Sequence, residues 1–426
     1  MKVTVIGAGK MGLPLACQFA NQGASVIACD TNTVVVEAIN QGVCPIDEPG
    51  VSELLSYAVA NGTLRASTDT TAAVAESQVI VVIVPVLLTP ERDADLSIIE
   101  SVSWQIAQGL KPGAMVSYET TLPIGGTRRL LPILESSGLK AGEDFHLVFS
   151  PERVKSQLVL KHLTQTAKVV GGITSQAAAC AEAFYQQYLG APVINVGTLE
   201  AAEMVKLAGM IYRDVNIALA NELAHYADEV GVNFHEVIRA ANTDGEAYLL
   251  FPGIGVGGHC TPVYPYFLIR DSQRRGISSV LAEQARLLNE SQPASILDRL
   301  ESRWELLHGR TTLILGLGFR PQVKEHIFSP AFPLREDLTR RGAQVRIHDP
   351  LYSDDEIREH GFVPCQLTDP QLPEVVILNT SHSIYYELNF QELASKGVKA
   401  IIDGRGLWDA NKIRSTGLVY VGVGKQ

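Results

Sequence analysis

Short β-branched runs punctuate the first part of the chain: KVTVI near the start, then ASVIACD, QVIVVIVP, AMVSYET and FHLVFS, with longer helix-like stretches between them. Strand-length apolar runs alternating with helices predict a mostly parallel sheet flanked by helices. From about Glu200 to Leu300 the rhythm changes. EAAEMVKLAGMIYRDVNIALANELAHYADEV and ISSVLAEQARLLNESQPASILDRLESRWELL contain no strand runs and predict extended helices on either side of a glycine-rich loop. After His308 the alternation returns in TTLILGLG, AQVRIHDP, EVVILNT and VKAIIDGRG, so a second, smaller α/β domain is expected. The expected division is 1–198, 199–305 and 306–426, in keeping with a length of 426 residues that exceeds what one core usually covers.

The first strand leads into VTVIGAGKMGLPLACQFANQGASVIACD, in which Gly7, Gly9 and Gly12 form a GxGxxG turn followed by a helix, a second strand and Asp30. The first glycine allows the tight turn, the second lets backbone approach a pyrophosphate, and the third lets helix pack on sheet. The N–H groups of the helix start, with Lys10 and Met11 in the turn, would face the phosphates. Asp30 would take the adenosine ribose hydroxyls and repel a 2′-phosphate, so NAD is expected over NADP. GLG at 316–318 also follows a strand but lacks the third glycine; it reads as a structural turn or as a nucleotide contact.

Composition narrows the class. Hydrophobic residues make up 46% and charged residues 19%, as in soluble globular proteins. A formal charge of -11 opposes non-specific nucleic-acid binding, and an anionic ligand would need locally placed cations. The apolar run at 79–88 is too short to span a membrane and contains Pro85, and the start of the chain does not read as a signal peptide, so a cytoplasmic protein is expected. The six cysteines are scattered without a CxxC, suggesting neither a disulfide framework nor a metal site. Cys17, Cys29 and Cys180 read as small buried hydrophobes. Cys260, preceded by GIGVGGH, is instead a candidate nucleophile, because glycines lack packing volume and allow backbone to lie close to a ligand.

Across nearly its whole length the chain resembles the UDP-glucose/GDP-mannose dehydrogenases, and most of all their UDP-N-acetylhexosamine 6-dehydrogenase branch. The resemblance rests on GAGKMGLPLA, DEPG at 47–50, ETTLPIGGT at 119–127, SPER at 150–153, KLAGMIYRDVNIALANEL at 206–223, PGIGVGGHCTP at 252–262, and GLGFRP with SPA near the end. It implies an N-terminal Rossmann-type NAD domain, a central long-helix dimerisation region and a C-terminal Rossmann-like domain that binds the nucleotide sugar. The implied reaction oxidises C6 of a UDP-hexose or UDP-N-acetylhexosamine to a uronic acid with NAD, as used in polysaccharide biosynthesis, in a homodimer. By position, Cys260 matches the nucleophile that forms a thiohemiacetal and then a thioester. Lys206 matches the lysine that stabilises oxyanions, Thr121 the threonine that orients a catalytic water, and Glu152 the glutamate of thioester hydrolysis. Pro85 and Thr121 lie in segments that resemble the cofactor side, whereas Glu152, Arg153, Lys206, Arg213, Phe251, Gly255, Gly258 and Arg320 lie in those that resemble the sugar side.

The pattern also breaks. Met210 stands where the family has an oxyanion-binding asparagine, Tyr264 where it has an aspartate, and Ile327 where it has an arginine; Val86 and Val35 replace a threonine and a basic residue on the cofactor side. Methionine cannot donate the amide hydrogen bond, and tyrosine is no base at neutral pH. The readings left open are a four-electron 6-dehydrogenase, a two-electron oxidoreductase on an unusual sugar nucleotide, and a catalytically weakened sugar-nucleotide-binding homologue.

Overall fold

The apolar runs at the start of the chain become one eight-stranded sheet in the computed structural model, which describes residues 1–425. In chain order the strands are β1 (Lys2–Ile6), β2 (Ser25–Cys29), β3 (Leu64–Ser67), β4 (Val79–Val82), the short β5 (Leu87–Leu88) and β6 (Ala94–Asp95), β7 (Met115–Tyr118), β8 (His146–Phe149), β9 (Lys168–Gly172) and β10 (Val193–Thr198). β5 and β6 pair only with each other; the rest lie in the order β10-β9-β8-β7-β4-β1-β2-β3. Read from the other edge, β3-β2-β1-β4-β7-β8 is the doubly wound dinucleotide-binding order, with its reversal between β1 and β4. All neighbours are parallel except β8 and β9, which run antiparallel with Phe149 opposite Gly171. This one reversal carries Lys168, the first residue of β9, to the edge at which β7 and β8 end.

The chain divides into two units, the first comprising Met1–Gly209 and Tyr266–Gly276. Its core lies between the sheet and helices such as Gly12–Asn21, which is buried from Gly12 to Ala20, and Ser175–Leu189, where Phe184 meets Phe19 at 5.1 Å between ring centres. The latter helix starts on a Thr174 side-chain cap to the Ala177 N–H and stops at Gly190, whose φ of 78° suits a left-handed terminus. Cys17 and Cys29 are buried as expected, but Cys180 is exposed. On that helix Ala177, Ala181, Phe184 and Tyr185 supply the apolar side, and Cys180 lies off it. The distant segment Tyr266–Gly276 is bound in by the β5–β6 hairpin: Arg274 meets Asp93 at 2.6 Å, Arg270 donates to the Glu91 carbonyl, and Arg92 lies over the Tyr266 ring at 4.8 Å.

The second unit comprises Met210–Pro265 and the chain from Ile277 on. Its sheet holds β11 (Thr311–Leu315), β12 (Gln344–His348), β13 (Val363–Pro364), β14 (Val375–Leu378), β15 (Ala400–Asp403) and β16 (Val419–Gly422), all parallel in the order β13-β12-β11-β14-β15-β16. The doubly wound order therefore occurs twice in this chain. One core joins Ile314, Ile347 and Ile377 of this sheet to Ala220, Ala224 and Ala227 of the long helix Leu199–Glu229 and to Ile296, Leu297 and Leu300 of the helix Val280–Arg303.

These two helices are also joined by charge. Arg286 grips Asp214 through Nε at 2.6 Å and Nη2 at 2.5 Å, Asn289 donates to the same carboxylate at 2.8 Å, and Asn221 donates to the Asn289 side-chain oxygen at 2.9 Å. All four residues are almost fully buried. Burial pushes the Asp214 carboxyl above its usual range despite Arg286 and Asn289, so the carboxylate depends on its partners. Replacing Arg286 with leucine should destabilise the protein by about 3–5 kcal/mol by leaving Asp214 unpaired. Chemical denaturation checks this, and the double Arg286→Leu/Asp214→Leu variant should recover much of the loss.

Candidate active site

The cofactor turn follows β1 at the reversal of the first sheet. Gly7 has a φ of 100°, and a Cβ there would lie 2.6 Å from the Ile83 carbonyl oxygen. A Cβ on Gly12 would lie 1.8 Å from the Gly7 oxygen, so neither position admits a side chain. Gly9 differs, with nothing within 4 Å of its added Cβ, which leaves an open face. Gly9 and Lys10 are exposed, while Met11, the residue before the helix Gly12–Asn21, packs on the core. The Asp30 carboxylate accepts the Ala8 N–H at 3.1 Å and the Asn32 N–H at 2.9 Å, which fixes it beside the turn. An open glycine face, a helix start and an oriented acid fit an adenine dinucleotide. Pro85 is exposed just beyond β4, and Thr121 is buried beyond β7; the two segments are tied by Thr120 Oγ1, which donates to the Val84 carbonyl at 2.7 Å.

Glu152 and Lys206 come together in the first unit. Lys206, buried on the helix Leu199–Glu229, donates through Nζ to the Glu152 main-chain oxygen at 2.6 Å. The Glu152 carboxylate accepts from the N–H groups of Arg153 at 2.6 Å and Val154 at 3.0 Å, and from Lys168 Nζ at 3.1 Å. Burial would raise its pKa, but Lys168, the Arg153 amide and Lys206 outweigh burial and hold it below the ordinary range. Glu152 is thus a held carboxylate. Arg153 is turned aside, its guanidinium donating to the Ala167 carbonyl. One turn before Lys206, Glu203 accepts the Gly125 N–H at 2.5 Å and the Thr127 N–H at 2.8 Å, anchoring the ETTLPIGGT loop that carries Thr121.

Cys260 lies in the second unit and is partly exposed. The glycines before it do not create slack. Added Cβ atoms would approach Arg405 Nη1 to 2.8 Å at Gly253, Pro330 to 3.0 Å at Gly255, and Phe319 to 2.4 Å at Gly257 and 3.0 Å at Gly258. The close approach that the glycines permit is therefore to the protein's own 319–330 loop. Gly258, at a φ of 95°, donates its N–H to the Ile327 carbonyl at 3.0 Å. At the other end Asn221 accepts the Gly253 N–H at 2.9 Å, and Asn216 accepts the Leu250 N–H at 3.0 Å. The Cys260 carbonyl accepts the Tyr264 N–H at 2.9 Å, and the Tyr264 hydroxyl reaches His259 Nδ1 at 3.3 Å. Among the other cysteines, burial pushes the Cys17 and Cys29 thiols up to about 12 and Cys365 up to about 11.

The remaining candidates of the second unit are Arg213, exposed on the long helix; Phe251, half exposed with Arg239 over its ring; and Arg320, bound to Glu325 at 3.1 Å. Met210 is partly buried and Ile327 is exposed. Sequence reasoning missed Arg405, in the DGRG that follows β15. Its Nε donates to the Asn379 carbonyl at 2.5 Å, while its buried Nη2, like Arg320 Nε, has no hydrogen-bond partner among the described residues. Burial lowers the Arg405 pKa to about 10, with Asp403 opposing. Both arginines follow strands at the carboxyl edge of the second sheet, where an anion would be received. The GLG turn near them behaves structurally: a Cβ on Gly316 would lie 2.4 Å from Thr380, and buried Asp349 accepts the Leu317 N–H at 2.7 Å and the Gly318 N–H at 3.1 Å. Lys168 and Glu119 were also missed; a lysine opening an otherwise apolar strand is the one signal that could have marked the first.

Comparison with known proteins identifies the family. Models of the UDP-glucose/GDP-mannose dehydrogenase family match the chain in three stretches: the NAD binding domain over residues 1–189, the central domain over 200–291 and the UDP binding domain over 313–410. The UDP-N-acetyl-D-mannosamine dehydrogenase of Pyrococcus horikoshii is 32% identical over 100% of this chain and 99% of its own length. The NDP-N-acetyl-D-galactosaminuronic acid dehydrogenase of Ralstonia nicotianae is also 32% identical, over 96% and 97%. A solved structure of the Pyrococcus horikoshii UDP-D-ManNAc dehydrogenase covers 100% of this chain and 99% of its own with a TM-score of 0.89 at 31% identity. By its sequence, its cofactor turn and its twice-used strand order, the chain belongs to the UDP-glucose/GDP-mannose dehydrogenase family.

Proposed function

We propose that this protein oxidises the C6 alcohol of a UDP-linked hexose or N-acetylhexosamine to the uronic acid, with covalent intermediates on Cys260. Family membership makes it an NAD-dependent dehydrogenase of nucleotide sugars. The observation that supports the covalent route is Cys260 itself: a partly exposed thiol in a loop whose backbone is fixed from both ends by Asn221 and by the Ile327 carbonyl. A cysteine held in this way is a nucleophile set at one position, so an aldehyde formed at C6 can be captured as a thiohemiacetal. NAD, when bound, accepts the hydride at each of the two oxidations. The thioester left by the second is opened by water, for which the ionised Glu152 is an acceptor and the ammonium of Lys206 a source of positive charge as oxyanions develop. The N-acetylhexosamine substrates named in the relatives favour that class of sugar. Arg405 and Arg320, with their unsatisfied nitrogens, are the cations we assign to the diphosphate.

A second reading is favoured by Tyr264. Where the family has an aspartate, this chain has a hydroxyl directed at His259, next to the nucleophile, and no carboxylate at that position. On that reading the reaction stops after one hydride. We also assign the protein to homodimers. The exposed Tyr212, Leu219 and Tyr226 recur every seventh residue along one face of the long helix, an apolar stripe of the kind that a second copy covers.

Counting NADH per sugar over a panel of UDP-hexoses and UDP-N-acetylhexosamines decides between the readings: two per sugar is expected, one would establish the alternative, and none would remove both. Cys260→Ser should abolish acid formation while sparing the first hydride transfer; undiminished acid formation would refute the covalent route. Asp30→Ala should lower kcat/KM for NAD by roughly tenfold or more and narrow the preference over NADP, because a ribose acceptor and a charge that repels the 2′-phosphate are lost together.

A further inference from the structure

The buried charges of the first unit are more numerous than the proposed reaction uses. Glu119, the residue after β7, is fully enclosed, and its two oxygens accept from Lys168 Nζ at 2.5 Å and the Tyr185 hydroxyl at 2.7 Å. Lys168 Nζ also donates to Glu152 at 3.1 Å and lies 5.2 Å from the centre of the Tyr185 ring. Ser117 closes the chain through a 2.8 Å contact with the Tyr185 hydroxyl. The antiparallel course of β9 is what makes this possible, since it sets Lys168 across the sheet edge from the Glu152 loop. One ammonium thus serves two carboxylates. An arrangement of two acids around one base is costly to bury and not needed to close a sheet.

We infer that Lys168 is a positioning residue for the hydrolytic half of the reaction: it orients the Glu152 carboxylate and divides its charge between Glu152 and Glu119, so that the ionisation of Glu119 governs how tightly Glu152 is held. The inference rests on the role of Glu152 proposed above. The groups facing Glu119 are Lys168 from β9, Glu152 from the loop after β8, and Tyr185 from the helix Ser175–Leu189; Lys206 and the Arg153 amide hydrogen-bond to Glu152. Burial pushes Glu119 up to about 7, Lys168 offsetting and Glu152 adding to the effect. Burial alone would lower the Lys168 pKa, but the two carboxylates outweigh it and keep the ammonium charged. Above about pH 7 the charge of Lys168 is shared between two carboxylates. Below it Glu119 is neutral, Lys168 pairs with Glu152 alone, and Glu152 becomes a poorer acceptor for the proton of the attacking water. Acid release should therefore fall as pH drops through this range.

The test uses full-length protein, NAD and UDP-N-acetyl-D-mannosamine, with the other UDP-sugars of the panel in parallel. Lys168→Met should keep the first hydride transfer and slow acid release by up to about a hundredfold, with the Cys260 adduct accumulating in intact-mass spectra, and Lys168→Arg should restore most of the rate. Glu119→Gln should make acid release slow and insensitive to pH around about 7. If Glu152→Gln blocks hydrolysis while Lys168→Met, shown folded by its melting curve, retains the wild-type rate and pH profile, the positioning inference is wrong and the role of Glu152 stands. If Glu152→Gln hydrolyses normally, or if wild type oxidises none of the sugars, the underlying reading fails and takes this inference with it. Should Lys168→Met not fold, Glu119→Gln decides, and an unchanged pH dependence overturns the proposal.

Discussion

A charge taken out of water must be matched on the spot, and that constraint shapes the interior of both units. In the first, Lys168 answers Glu119 and Glu152 at the edge where two parallel strands end. In the second, Arg286 answers Asp214 between the long helices, and His382 stands 3.3 Å from Asp349 beside the second glycine turn. Each match is geometric as well as electrostatic. Lys168 can reach both acids only because β9 runs against β8. Asp214 and Asn221, seven residues apart on one helix, join the same buried network, and from it Asn221 secures the Gly253 amide at the foot of the cysteine loop.

The two sheets show how one strand order is put to different uses. In both, a glycine with a φ near 100° follows the first strand, and only glycine fits there because the opposing chain leaves no room for a Cβ. In both, an acid at the end of the second strand accepts N–H groups from the turn. The difference is access: Asp30 is partly exposed, with Gly9 open beside it, whereas Asp349 is buried and accepts three amides, from Leu317, Gly318 and Leu351. The first acid keeps an exposed side and the second is consumed inside the protein. Beyond the strands of the second sheet it is instead Arg320 and Arg405 that keep buried nitrogens without a hydrogen-bond partner among the described residues.

Much of this was legible in the sequence. Runs such as VIVV and AII, uniformly apolar, admit little but buried parallel strands, and GAGKMG followed by Asp30 states its own geometry. The motifs also marked Glu152 and Lys206, which the structure joins through a single hydrogen bond. Hidden were the features that depend on sheet order. Nothing local to AKVVGG says that its strand is reversed, so Lys168 went unmarked. The glycines before Cys260 read as open space because their neighbours, Phe319 and Pro330, are distant in sequence. Cys180 read as core because helical phase over an alanine-rich run is hard to fix from the run alone.

The segment Tyr266–Gly276 belongs to the first unit, although Met210–Pro265, which precedes it, belongs to the second. On the ribosome, then, the first unit cannot be finished when its sheet is made; its hairpin side chains Arg92 and Asp93 wait for partners that emerge only after the cysteine loop has been synthesised. Neither unit can be cut out as one uninterrupted piece of chain, and a gene split at the end of the first sheet would yield a fragment missing part of its own wall.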